Sequence, residues 1–93
     1  MHSIPDRPHT PMAAMTYLER QDWAWSQRLE PGPKLVLMAL VWATPPGAPH
    51  PNRHTVARLT GQSIKTVGRH LQTLQAVGLI RLEGRAIVLG GLR

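Results

Sequence analysis

The chain has 93 residues and no cysteine. That excludes a disulfide framework and thiolate metal sites, and it fits a reducing compartment. No apolar run approaches the roughly 18 residues that cross a bilayer; the longest is Leu35–Ala43. The N-terminus has no charged segment followed by an apolar one, so it does not read as a signal peptide. These absences predict a cytoplasmic protein with no membrane partner. Catalytic vocabulary is also missing. The five acids form no paired motif, and there is no Ser-His-Asp arrangement and no phosphate loop, so an enzyme is not expected. His50 and His54 are four apart, but Pro51 and Asn52 between them deny a shared helical face. Without a nearby carboxylate or thiolate they make no zinc site, and neither a metal nor another cofactor is expected.

The shortage of acid is lopsided. In residues 1–49, Arg7, Arg20, Arg28 and Lys34 balance Asp6, Glu19, Asp22 and Glu30. In residues 50–93, Arg53, Arg58, Lys65, Arg69, Arg81, Arg85 and Arg93 face Glu83 alone, so this half carries the whole net charge of +6. A basic half on a neutral base points to a polyanionic partner.

What is present reads as one small domain over 14–93 behind a Pro-rich, flexible arm over 1–13. A segment from Tyr17 to about Leu29 lacks Pro and Gly and can be helical. Glu30-Pro31-Gly32 breaks the chain, and Pro33 suits the first turn of a helix over about 33–44. That helix contains LVLMALVWA and is apolar almost all round, so it must be covered on two sides. The basic half covers one side; the Trp23/Trp25 segment or a second subunit covers the other. TPPGAPHP (44–51) is a loop. Asn52 caps a short helix over 52–60, and Gly61 ends it. Ser63 caps a helix over 63–77, which Gly78 ends. Two β-prone runs around Glu83-Gly84-Arg85 predict a hairpin over 79–89, with Ile80 and Leu82 on one face and Ile87 and Leu89 on the matching face. The class is mainly α with a small β-hairpin.

Ala57, Gly61 and Val67 have the spacing that two helices crossing through a tight turn require: a small residue at the contact, a positive-φ turn, and an apolar plug. With this, the order KLVLMALVWA, TVARLTGQS, KTVGRHLQTLQAVGLI and RLEGRAIVL resembles winged helix-turn-helix DNA-binding domains over about residues 31–90. The likeness is nearest to the small domains of phage and plasmid replication and regulatory proteins. Two positions depart from that pattern: Val56 stands where Leu is usual, and His70 where an apolar residue is usual. The resemblance implies that helix 63–77 enters the major groove and that the wing at 83–85, with Arg85 at its tip, reaches the minor groove.

At 100° per residue, Val67, Leu71, Leu74 and Ile64 fall on one stripe of helix 63–77. Opposite stand Lys65, Thr66, Arg69, Gln72 and Thr73, with Gln62 and Ser63 at the N-terminal end. This polar face has no acid, whereas a solvated helix mixes Glu with Lys. Its groups suit phosphates and base edges. Arg69 fits guanine, Gln62 or Gln72 fits adenine, and Ser63 and Thr66 sit where a helix N-terminus favours phosphate. Arg53 and Arg58 flank this face. Gly68 and His70 lie at the borders of the apolar stripe. A half-buried His70 is expected, and Gly68 is expected to permit close approach by a neighbouring element.

The expected function is binding of double-stranded DNA by a small transcriptional regulator, nucleoid-associated in the cytoplasm, with six phosphate contacts giving a salt slope of about −5. A homodimer through residues 17–44 would suit a palindromic site. The alternatives are origin binding in plasmid or phage replication, and a winged helix that binds protein as an inhibitor or adaptor.

Overall fold

Residues 12–90 are described by the structure, a computed structural model. A 3-10 turn over Met12–Ala14 leads into α1 (Tyr17–Ser26), α2 (Pro31–Trp42), α3 (Arg53–Thr60), α4 (Ile64–Ala76) and the strands β1 (Ile80–Glu83) and β2 (Ala86–Leu89). The chain is mainly helical, with one small antiparallel hairpin at its C-terminal end. Residues 1–11 of the expected arm lie outside the described residues. Its last two, Met12 and Ala13, belong to the 3-10 turn, and Met12 packs against the core.

Local chemistry sets most helix ends. Thr16 and Glu19 form a capping box: the Thr16 hydroxyl accepts from the Glu19 N–H at 3.1 Å, and Glu19 Oε1 accepts from the Thr16 N–H at 2.9 Å. Asn52 and Ser63 cap α3 and α4 as expected, accepting from the N–H groups of Thr55 and Thr66. Gly61 ends α3 at φ 73°, the left-handed conformation that glycine adopts at little cost.

Three boundaries differ from expectation. Helix α1 ends at Ser26, not near Leu29. A continuing helix would give the Trp23 carbonyl to the Gln27 N–H, but the Ser26 hydroxyl and the Gln27 amide take it instead. The Lys34 ammonium then bonds the carbonyls of Trp25 and Gln27. Helix α2 starts at Pro31, so Pro31-Gly32-Pro33 is its first turn and not a break before it. First-turn N–H groups have no partner within the helix, so two prolines there forfeit no hydrogen bond. The helix stops at Trp42. Beyond it the Thr44 hydroxyl donates to the Leu40 carbonyl at 2.7 Å, and Arg20 Nη1 donates to the Thr44 carbonyl at 2.8 Å. Helices α1 and α2 thus form an antiparallel hairpin in which each helix supplies the cation at the other's C-terminal end, where carbonyls lack partners.

Helix α2 is the hub and packs against α1, α3 and α4. Its Val36, Leu37, Leu40 and Val41 are buried with Ala24, Val56, Val67, Leu71, Leu74, Ile80, Ile87 and Leu89. The hairpin has the expected pattern. Ile80 pairs with Leu89 and Leu82 with Ile87, and this face turns inward. Gly84 takes φ 61° at the first position of the two-residue turn, as a type II′ turn requires. Two apolar side chains do not join the core as expected. Ile64 is 38% exposed: helical side chains lean toward the N-terminus, so the first residue of α4 leans off the helix end. Trp23 packs on the core, but Trp25 is exposed.

Candidate nucleic-acid interface

Helix α4 has a neighbour along each border of its apolar stripe. On one side His70 is half-buried, as expected, with its ring on the first turn of α2. A Cβ at Gly32 would lie 2.7 Å from His70 Cε1 and Nε2. The close approach expected at Gly68 therefore belongs to Gly32. At Gly68 an added Cβ would meet only Arg53 Nη1, at 3.6 Å, an ordinary contact. Arg53, at the start of α3, thus lies along the other border of α4. Near the C-terminal end, Gln75 Oε1 accepts from the Leu82 N–H at 2.8 Å and ties α4 to the hairpin. A helical wheel does not see that tie, because it depends on where the hairpin folds back.

Between these supports one stripe of α4 stays open. Lys65, Arg69, Gln72 and Ala76 recur at i, i+4, i+7 and i+11, and all four are exposed. Lys65 and Arg69 form a like-charge i,i+4 pair, an arrangement that costs an isolated helix about 0.2–0.5 kcal/mol. From Arg53 to Ala76 there are four cations and no acid, so nothing on α3 or α4 relieves the pair. At the N-terminal end, the exposed Ser63 hydroxyl donates to Thr66 Oγ1 at 3.0 Å, which leaves the Thr66 hydroxyl hydrogen available.

The other expected contact residues are dispersed. Arg58 on α3 and Arg85 at the hairpin turn are exposed. Gln62 is half-buried, and its Oε1 is enclosed without a hydrogen-bond partner, so its acceptor is turned away from the open stripe. Thr73 is exposed, but its hydroxyl donates back to the Arg69 carbonyl at 3.3 Å, and it stands beside Arg28, Leu29 and Glu30 of the α1–α2 loop. On β1, Arg81 bonds Glu83, so the strand displays a paired charge before Arg85, which has no acid partner among the described residues.

The arrangement is an open stripe carrying two cations and an amide, on a helix seated on α2 at His70 and tied to the hairpin at Gln75. It can bond a polyanion and, through the guanidinium and amide, planar acceptor edges. No three His, Cys, Asp or Glu side chains gather to hold a metal among the described residues. No helix among them is long and apolar enough to cross a membrane. No protein-family model, no curated protein and no solved structure matches the chain. What the face does must follow from its own chemistry.

Proposed function

We propose that this protein binds duplex DNA as a winged helix-turn-helix module and acts as a small transcriptional regulator. The observation that carries the reading is the acid-free stripe of Lys65, Arg69 and Gln72, exposed on α4 beside Arg53. Helix α4 enters the major groove. Arg69 addresses guanine and Gln72 adenine, since these are the bidentate pairings their groups fit. Arg53, Arg58 and Lys65 bond phosphates on either side, and Arg85 reaches the neighbouring backbone or minor groove. Ser63 and Thr66 meet a phosphate at the N-terminus of α4. The tie from Gln75 to the hairpin fixes the distance between the two contact regions.

A labelled duplex of arbitrary sequence, titrated at about 50 mM salt, tests this directly, because nonspecific binding is electrostatic. Wild-type protein binds. The variant carrying Lys65→Ala and Arg69→Ala retains its helical spectrum and binds at least tenfold more weakly. Equal binding by that variant overturns the assignment of α4. No binding by the wild type overturns the DNA reading and turns attention to a winged helix that binds protein. Selection from random duplexes then gives the recognised sequence and its symmetry, which separates one site from two half-sites.

A further inference from the structure

The seven large apolar side chains left exposed among the described residues are not scattered. Leu35, Trp42 and Leu59 line one groove with Gln21, and Leu18 and Trp25 flank Gln21 along α1. Leu18, Gln21 and Trp25 recur along α1 at i, i+3 and i+7. Leu35, Met38 and Trp42 do the same along α2, on the side opposite the buried Leu37 and Leu40. The two stripes lie side by side. The Tyr17 hydroxyl donates to the Trp42 carbonyl at 2.7 Å, which sets the start of α1 against the end of α2. At the other end the Lys34 ammonium stands 5.8 Å from the Trp25 ring centroid. Between them, Gln21, Leu35, Met38, Trp42 and Leu59 line a groove of about 350 Å³ with no charged side chain in its wall.

We infer that this face is the seat of a second copy of the chain, α1 and α2 of each copy packing together as a four-helix bundle. Three features favour a second copy over another occupant. The first is area. Leu18, Trp25 and Trp42 are 66%, 65% and 63% exposed. With Leu35 and Leu59, the open apolar area is on the order of 600 Å² per copy, close to the roughly 800 Å² each partner gives a standard interface and at the upper end for a lone monomer. The second is charge. Two copies of a chain with net charge +6 repel, and the repulsion is least where the electroneutral half meets itself. A charged partner would find no opposite charge in the groove wall. The third is shape. An antiparallel pair of helices of 10 and 12 residues with an apolar outer face buries that face against its like in an isologous contact. The open stripe of α4 stays free, because α4 packs on the core side of α2. The dimer therefore displays two such stripes related by a two-fold axis.

Sedimentation equilibrium of the full chain, without DNA, from about 1 to 200 µM tests the inference. A monomer–dimer equilibrium is expected within this concentration range. Trp42→Gln and Leu18→Gln, made separately, are expected to weaken association at least tenfold while keeping the helical spectrum. Two positions are used so that misfolding of one variant leaves the other to decide. Lys65→Ala with Arg69→Ala leaves association unchanged. A wild-type monomer at every concentration overturns the inference, as does a dimer that both glutamine variants leave at full strength. The readout is independent of DNA. A monomer that still binds duplex sinks the dimer and spares the proposed function; a dimer indifferent to duplex does the reverse.

Discussion

The two halves of the molecule use their cations in opposite ways. In the α1–α2 hairpin, Arg20 and Lys34 are turned inward onto backbone carbonyls, and each closes the C-terminal end of the other's helix. In the α3–α4 half, Arg53, Arg58, Lys65 and Arg69 have no acid on their own helices and pair with none among the described residues, and Lys65 and Arg69 stand on an open stripe. One half uses charge to terminate helices. The other displays it at a small cost to its own stability. The same residue types therefore carry different expectations under mutation: loss of fold in the first half, loss of binding in the second.

The largest expected effect is on binding. Replacing both Lys65 and Arg69 by Ala is expected to lower duplex affinity by about 2–4 kcal/mol, with a melting temperature equal to wild type or slightly higher, since a like-charge pair is removed. Next comes Arg20→Ala. Arg20 is 6% exposed, and its guanidinium holds the buried Thr44 carbonyl. Removing it leaves that acceptor without its cation and opens a gap, at a cost of about 2–3 kcal/mol in urea unfolding. An undiminished unfolding midpoint would show that the two halves do not differ in this way.

Two glycines sharpen the comparison at smaller scale. Gly32→Ala puts a methyl into the His70 ring and is expected to destabilise by about 1 kcal/mol, an overpacking cost. In a double-mutant cycle His70→Ala removes most of that penalty. Gly68→Ala finds ordinary contact with Arg53 and is expected to stabilise by up to about 1 kcal/mol, the helix-propensity gain. Thermal unfolding of the two variants checks both signs. Matching signs would mean that α4 is not seated on α2 at Gly32.

Much of this was legible in the sequence because its signals are local. Asn52, Gly61 and Ser63 mark their own helix ends through bonds to residues three or four away, and Gly84 marks its own turn. The stripe of Lys65, Arg69 and Gln72 was legible because a long, strongly amphipathic helix fixes its own faces. What was not legible depends on distant partners. The carbonyls that the early end of α1 frees are held by Lys34, nine residues from Trp25. The end of α2 rests on Arg20, which is 24 residues from Thr44. The inward turn of the Gln62 oxygen and the position of Thr73 beside the α1–α2 loop depend on packing that a wheel does not contain. The misplaced close approach at Gly68 has the same origin: Gly68 lies on α4 itself, and only the tertiary fold shows that Gly32 of α2 lies under the His70 ring.

The central claim is that the unmatched cations of α3, α4 and the hairpin turn engage phosphates. The slope of log affinity against log salt for an arbitrary duplex tests it most directly. Contacts by Arg53, Arg58, Lys65 and Arg85 predict a slope between about −3 and −5, reduced by about one unit in Lys65→Ala. A slope near zero, or a slope that Lys65→Ala leaves unchanged, would contradict the account.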